Sequence, residues 1–321
     1  MNILVFEEKE IHPKALDLLL KHGVHIFYSL NSISPDEVEA VFLRTYTTIN
    51  QKFIRKFPNL LYVLRAGVGL DNIDVQACTK KGITIFNSPA SNADAVAEMV
   101  VCFSLMLLRN ISVHSAQLLE GGWREKCNIG TDLRGKTFGL VGCGATGKAL
   151  AKKLRAFSLH KILGFDPYIS QSELKKMSIT KVGLPELLQN SDVISLHVPL
   201  LPETQHLISK KELSLMKNTS FLINTSRGRV IDEKDLFIAL HNRTIAGAAL
   251  DVYENEPHLT EEGRSLVTCP YVIATPHIAS YTKETDEAMC VEVVKRFLST
   301  IRAKRKFKSH TILTLPQARK L

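Results

Sequence analysis

A short apolar run, Thr137–Val141, passes without a break into Gly142-Cys143-Gly144-Ala145-Thr146-Gly147, and a helical pattern, Lys148–Leu154, follows directly. No other feature constrains the fold so tightly. Strand, G-x-G-x-x-G turn and helix, in that order, form a phosphate-binding turn of a dinucleotide fold. Gly142 permits the tight turn, Gly144 lets backbone approach a pyrophosphate, and Gly147 lets helix and strand pack closely. The N–H groups and positive end of the helix then face the phosphates. Such a turn calls for an acid about 20 residues on. Asp166 closes the next strand pattern, 19 residues beyond Gly147. Its carboxylate suits ribose hydroxyls and repels a 2′-phosphate, and Pro167 to Gln171 holds no Lys or Arg to accept one. NAD rather than NADP is the expected cofactor. A bare glycine turn and a strand-end Asp before Pro167 are the blander readings, and the order strand, turn, helix, acid outweighs them.

The rest of the chain repeats the same alternation. At about 100–200 residues per domain, 321 residues imply two domains. Apolar runs at Ile3–Phe6, Val24–Phe27, Val41–Leu43, Leu60–Leu64 and Ile83–Phe86 read as strands. A second series reads Thr137–Val141, Ile162–Phe165, Val193–His197, Phe221–Asn224, Ala246–Leu250 and Val272–Ala274. Ser34-Pro35-Asp36-Glu37 reads as a helix start, with a capping Ser, Pro at the first helical position and Glu at the third. From Ala95 to Leu119 the pattern is one long helix, and another runs from Lys283 to about Arg302. Strands alternating with helices predict an α/β protein of two doubly wound parallel sheets. The expected substrate domain takes 1–97 plus 288–321, and the dinucleotide domain 98–287.

Composition closes off other classes. From Lys295 to Leu321 there are nine Lys or Arg and no acid, and elsewhere acidic and basic residues balance. The net charge of +9 is thus one C-terminal segment, which reads as a solvated helix end and tail. Nucleic acid is not an expected partner. The apolar stretch Met99–Leu108 is half the length a membrane span needs, and MNILVFEEKE is no secretion signal. No membrane partner is expected. Six cysteines without short spacing predict neither disulfides nor a metal site, and a reducing, cytoplasmic setting.

Chemistry-bearing side chains follow the late strands. Arg227 follows Phe221–Asn224, Asp251 and Glu256 follow Ala246–Leu250, and His277 follows Val272–Ala274. Ligands of open α/β sheets bind outside the carboxyl ends of the strands. A cation, a carboxylate and an imidazole there match hydride transfer on a hydroxy acid, which needs a partner for the carboxylate, an acid/base, and a group to orient that base.

Taken in order, Arg65-Ala66-Gly67-Val68-Gly69-Leu70-Asp71-Asn72-Ile73-Asp74, the glycine turn, Leu196-His197-Val198-Pro199-Leu200, Asn224-Thr225-Ser226-Arg227-Gly228, Asp251–Pro257 and Pro276-His277-Ile278-Ala279-Ser280 resemble the D-isomer-specific 2-hydroxyacid dehydrogenase family over nearly the whole chain. Thr146 stands where an aliphatic residue is usual. The resemblance implies a flavodoxin-like and a Rossmann-like domain with the active site in the cleft between them, and a homodimer. It implies that Arg227 binds the substrate carboxylate and polarises the carbonyl. His277 is then the acid/base, and Glu256 pairs with it and favours its charged form. It further implies that Asp251 holds the nicotinamide carboxamide and that backbone at Gly67, Val68 and Gly69 binds the carboxylate. Ala145, Thr146, His197, Val198, Thr225, Ser226 and Ala279 are implied to line the cofactor.

Leu43-Arg44-Thr45, Arg65 to Gly69 and Gly122-Trp123-Arg124-Glu125-Lys126 resemble the branch acting on 3-phosphoglycerate in serine biosynthesis, although Thr48 stands where a Lys is frequent. Arg44 and Arg65 each follow a strand and are expected to hold the phosphate, since two guanidiniums suit it. Hydroxypyruvate, glyoxylate or another small 2-oxo acid is the alternative. The chain ends soon after its final helix, so no C-terminal regulatory domain is expected. A reading of another class is a cofactor-sensing, corepressor-like binding protein.

Overall fold

Parallel strands covered on both faces need no polar alternation. Every residue of Ala40–Leu43, Thr137–Val141, Val193–Leu196 and Gly247–Leu250 is accordingly buried. The computed structural model of the chain describes residues 1–124 and 127–311, the last nine by backbone alone. Glu125-Lys126, the apolar run Ile312–Leu315 and the basic side chains from Lys304 onward lie outside the described residues.

In chain order the elements are β1 (Asn2–Val5), α1 (Pro13–Leu20), β2 (His25–Phe27), β3 (Ala40–Leu43), α2 (Gln51–Lys56), β4 (Tyr62–Arg65), α3 (Val75–Lys80) and β5 (Thr84–Phe86). Then come α4 (Ala93–Leu108), α5 (Ile111–Leu119), β6 (Thr137–Val141), α6 (Ala145–Leu154), β7 (Lys161–Phe165), α7 (Gln171–Lys175), β8 (Thr180–Lys181) and α8 (Leu184–Asn190). They are followed by β9 (Val193–Leu196), α9 (Lys210–Leu215), β10 (Phe221–Asn224), α10 (Glu233–His241), β11 (Gly247–Leu250), α11 (Glu261–Thr268), β12 (Val272–Ala274) and α12 (Lys283–Thr311).

Two units result, one of residues Met1–Asn92 with Thr282–Leu321, the other Ala93–Tyr281. The first holds a five-stranded sheet in the order β2-β1-β3-β4-β5, the second a seven-stranded sheet in the order β12-β11-β10-β9-β6-β7-β8. All pairings are parallel. In the first unit α1 and α12 bury Leu19, Val293 and Phe297 against Phe42 and Leu64, while Ile54 and Cys78 from α2 and α3 pack with Val41 and Val63. In the second, α4 and α6 bury Phe103 and Leu150 with Phe138 and Leu140, and Leu187, Leu213 and Leu236 cover Leu196 and Leu222.

The boundaries fall five or six residues before those expected. Helix α4 packs on α6 in the second unit, and α12 on α1 in the first. A helix cannot be divided without exposing its hydrogen bonds, so each break sits in the turn preceding a helix. The stretch expected as one helix from Ala95 to Leu119 is two, bent by 61°, with Asn110 left-handed at φ 52° between them. The capping box at Ser34 and Glu37 forms, but only a three-residue 3-10 turn follows. No single helix among the described residues is long and apolar enough to cross a membrane.

Candidate active site

The glycine turn has the geometry a dinucleotide requires. Gly142 is left-handed at φ 91°, and a Cβ there would lie 2.6 Å from the His197 carbonyl oxygen. A Cβ on Gly147 would lie 2.6 Å from the Gly142 oxygen, whereas one on Gly144 would meet nothing within 4 Å. Gly144 therefore opens onto free space at the start of α6, where no side chain caps the helix. Ala145 and Thr146 form its first turn. Asp166 is buried at the end of β7, and its Oδ2 accepts the Cys143 N–H at 2.9 Å. Its Oδ1 accepts the N–H groups of Tyr168 and Ile169 at 2.9 and 3.1 Å. The acid thus shapes the turn, with acceptor capacity left on Oδ2. Thr225 Oγ1 and His197 Nε2 are buried without a hydrogen-bond partner among the described residues. Burial also pushes the His197 imidazole down to about 4, so it is neutral near pH 7. Two unsatisfied polar atoms beside the glycine turn fit a nucleotide that would supply their partners. Val198 packs beside the same turn.

The catalytic candidates come together at the carboxyl ends of β10, β11 and β12. His277 Nδ1 lies 2.6 Å from Glu256 Oε1, and the other Glu256 oxygen accepts the Tyr253 N–H at 3.2 Å. With a carboxylate on Nδ1, the assigned tautomer carries its proton there, and Nε2 is left to exchange one. The His277 side chain is 41% exposed, so that exchange has access. Its backbone is left-handed at φ 55°, a costly state for a residue other than glycine and one that clusters at functional sites.

Asp251 holds that backbone in place. It is fully buried, and its Oδ1 accepts the Thr275 hydroxyl at 2.6 Å and the Ile278 N–H at 2.8 Å. Its Oδ2 accepts the Ala279 N–H at 2.8 Å, and its carbonyl accepts the His277 N–H at 2.8 Å. Burial raises the Asp251 carboxyl pKa, while the Thr275, Ala279 and Ile278 bonds and the nearby His277 lower it. Asp251 is thus enclosed, Ala279 gives its N–H to it, and together they fix the His277 loop. Ser226 is likewise turned inward, donating through its hydroxyl to Asn224 Oδ1 at 2.8 Å, and Asn224 in turn donates to the Arg227 carbonyl at 2.9 Å. This closes the turn that presents Arg227, whose Nη1 donates to the Ser226 carbonyl at 2.7 Å.

The loops of Arg227 and Glu256 are locked to each other. A Cβ on Gly228 would lie 1.9 Å from the Tyr253 carbonyl carbon. Glu233 and Glu254 each accept the other's backbone N–H, at 2.8 and 3.1 Å, and Glu233 also accepts the Thr260 hydroxyl. His206 adds a contact of 3.2 Å to Glu254 and one of 3.6 Å to Asp232. Sequence reasoning missed this clip. Its only signal was a pair of acids, Asp232 and Glu233, at a helix start.

In the first unit, the turn at 66–69 is pinned by Ser88 and Asn87. The Gly67 N–H donates to Ser88 Oγ at 2.9 Å, the Ser88 N–H to the Gly67 carbonyl at 3.0 Å, and Asn87 Nδ2 to the Val68 carbonyl at 2.8 Å. Gly67 has φ 151°, and the Arg65 guanidinium lies directly over it. Arg44 departs from its expected role. It is buried, with Nη1 2.6 Å from Asp286 Oδ1 of α12 and 3.5 Å from Cys290 Sγ. Its guanidinium is thus paired inside the first unit. Among the described residues no group of three His, Cys, Asp or Glu is placed to hold a metal ion.

A dinucleotide-type turn, an arginine and an imidazole–carboxylate couple thus share one unit. The model of the D-isomer specific 2-hydroxyacid dehydrogenase NAD binding domain matches residues 101–279. The chain is 38% identical over 267 residues to D-3-phosphoglycerate dehydrogenase of Methanocaldococcus jannaschii, covering 83% of this chain and 50% of that one. It is 37% identical over 265 residues to hydroxypyruvate reductase of Thermotoga maritima, covering 83% and 85%. The crystal structure of D-lactate dehydrogenase from Aquifex aeolicus, complexed with NAD and lactic acid, superposes with a TM-score of 0.83 at 28% identity, covering 95% and 97%. The chain belongs to the D-isomer specific 2-hydroxyacid dehydrogenase family, and its second unit is the NAD-binding domain. It spans about half the length of the phosphoglycerate dehydrogenase it matches.

Proposed function

We propose that the chain is an NAD-dependent oxidoreductase that interconverts a small D-2-hydroxy acid and its 2-oxo acid. The 2.6 Å couple of His277 and Glu256, in the same unit as the glycine turn, carries this reading. Bound NAD supplies the hydride chemistry. His277 Nε2 takes the hydroxyl proton in oxidation and returns it in reduction, while Glu256 holds Nδ1–H and stabilises the charged imidazole. Arg227 binds the carboxylate and polarises the carbonyl. Gly142, Gly144, Ala145, Thr146 and Gly147 receive the pyrophosphate, Asp166 the ribose, and His197, Val198 and Thr225 line the remainder. The relatives named above divide between a phosphorylated and an unphosphorylated acid, as did the expectation from sequence.

The test is absorbance at 340 nm, with NAD and a panel of 2-hydroxy acids, and with NADH and the matching 2-oxo acids. Turnover of at least one pair supports the reading. Tight NADH binding with no turnover favours the cofactor-sensing, corepressor-like alternative. A homodimer is proposed as the assembly. None of the residues of α5 is buried, and Leu118, Leu119, Trp123 and Ile129 are exposed, an apolar surface of the kind that marks protein contacts. Light scattering tests it. Six free cysteines support a reducing, cytoplasmic setting.

A further inference from the structure

Arg227 and Glu256 stand on different loops of the second unit, and something must set the register of one against the other. Gly228 lies against the Tyr253–Glu254 peptide, where a Cβ would sit 1.9 Å from the Tyr253 carbonyl carbon and 2.4 Å from the Glu254 nitrogen. A hydrogen bond, unlike mere contact, prescribes distance and angle, and the bonds across this junction converge on one residue. The Glu254 N–H donates to Glu233 Oε1 at 2.8 Å, its carbonyl accepts Arg229 Nε at 3.2 Å, and its Oε1 accepts the Glu233 N–H at 3.1 Å. His206 Nε2 lies 3.2 Å from that same oxygen. The N–H, carbonyl and carboxylate of Glu254 are thus all engaged with His206 and with the segment that follows Arg227. None of these bonds is to Arg227, Glu256 or His277.

The partners of Glu254 are themselves fixed. Glu233 is buried, and its Oε2 accepts the Thr260 hydroxyl at 2.8 Å, whose oxygen in turn caps α11 by accepting the Gly263 N–H at 2.9 Å. His206 is left-handed at φ 50°, a costly state for a residue other than glycine. Backbone bonds hold it there: the His206 N–H donates to the Arg229 carbonyl at 2.8 Å, the Ile208 N–H to the Val230 carbonyl at 3.1 Å, and the Asp232 N–H to the Ile208 carbonyl at 3.0 Å. Its other ring nitrogen lies 3.6 Å from Asp232. A network of acids like this one is a poor source of stability, since well-packed apolar residues do as well or better. What a satisfied polar network supplies is a single arrangement.

We propose that Glu254 is a positioning residue for the proton-transfer couple, with Glu233 and His206 as its anchors. The inference rests on the dehydrogenase reading of the second unit. The Tyr253 N–H, one peptide before the junction, holds Glu256 Oε2 at 3.2 Å, and Glu256 Oε1 holds His277 Nδ1 at 2.6 Å. Displacing residue 254 moves the peptide that aims this carboxylate, and His277 then loses the partner that keeps its proton on Nδ1 and leaves Nε2 to exchange one. The glycine turn at 142–147 shares none of these bonds, so cofactor binding does not depend on them.

The test follows NADH oxidation at 340 nm by the full chain on glyoxylate, hydroxypyruvate and 3-phosphohydroxypyruvate, and uses the acid turned over fastest. Glu254→Ala removes the carboxylate and leaves the backbone bonds. Its kcat is expected to fall about 10–100-fold, with KM for NADH held within about twofold. Glu254→Gln keeps an oxygen for the Glu233 N–H and is expected to recover most of the loss. An unchanged kcat in folded Glu254→Ala overturns the inference. So does a Gln variant as slow as the Ala variant, or a KM for NADH that rises as far as kcat falls. If Glu254→Ala does not fold, His206→Ala decides, at a half-exposed side chain. Its kcat must fall by a smaller factor with the melting temperature kept, and an unchanged kcat overturns the inference. A second readout needs no turnover. In the chain with isotope-labelled histidine, long-range proton–nitrogen NMR spectra report which ring nitrogen of His277 carries the proton, the signals being assigned by their loss in His277→Gln. Wild type is expected to carry it on Nδ1, and Glu254→Ala or His206→Ala to shift it in part to Nε2; identical spectra overturn the inference. If wild type turns over none of the three acids, the dehydrogenase reading fails, and the tautomer alone decides whether Glu254 positions the couple.

Discussion

Arg44 and Arg227 both follow a parallel strand, and both have acids nearby, yet they have opposite fates. Arg44 meets Asp286, which α12 brings back from 242 residues away, and the pair is sealed among Cys290 and the elements of the first unit. Arg227 sits on a turn closed by Asn224 and Ser226, and the carboxylate of its region, Glu256, is committed to an imidazole instead. The difference teaches that residue type and position after a strand do not decide between scaffold and chemistry. What differs is enclosure: the Arg44 side chain is 9% exposed and that of His277 41%. A buried ion pair is inert because breaking it is costly; a half-exposed couple can exchange a proton.

Each side of that contrast can be broken experimentally. His277→Ala is expected to lower kcat by about 10²–10⁴ with little loss of stability, measured at 340 nm and by thermal melting. A melting loss as large as the activity loss would erase the distinction drawn here. Arg44→Met should do the reverse. It leaves Asp286 without its guanidinium and beside Glu10, and is expected to cost about 3 kcal/mol in urea unfolding, with kcat preserved. A fall in kcat with unchanged stability would move Arg44 back into the site. Asp251→Asn turns an acceptor into a donor against the Ala279 or Ile278 N–H, at about 2 kcal/mol. Because Asp251 acts through the His277 loop, kcat should fall more than KM rises. An effect spread over several pH units concerns His197. Its folded pKa, about 4, lies below the ordinary 6.5, so the unfolded chain binds the extra proton between these values. Its contribution is complete above pH 6.5 and is lost as pH falls toward 4, by on the order of 1 kcal/mol per pH unit. His197→Asn should flatten that part of the urea-stability profile.

Much of the fold was legible because buried parallel strands are continuous apolar runs: β6 and β10 begin and end where the sequence places them. β8 was not legible, since two residues, Thr180 and Lys181, at a sheet edge carry no apolar signal. The break in the stretch after Ala95 had a signal that went unread: Asn110, a residue type that adopts left-handed backbone, lies between two segments equally apolar. The chemical trio was legible through ordered motifs, each beside its strand. The supports of that trio were not. The enclosure of Asp251 depends on Thr275, Ile278 and Ala279 folding back over it, and the partner of Arg44 lies on the last helix, contacts that no local pattern announces.

The absence of a side chain at Gly228 has a consequence for how this molecule can diversify. With Tyr253 backbone filling the space a methyl would need, the guanidinium loop and the carboxylate loop are geared together, and neither can be re-aimed alone. New reactivity is therefore shut out at that junction.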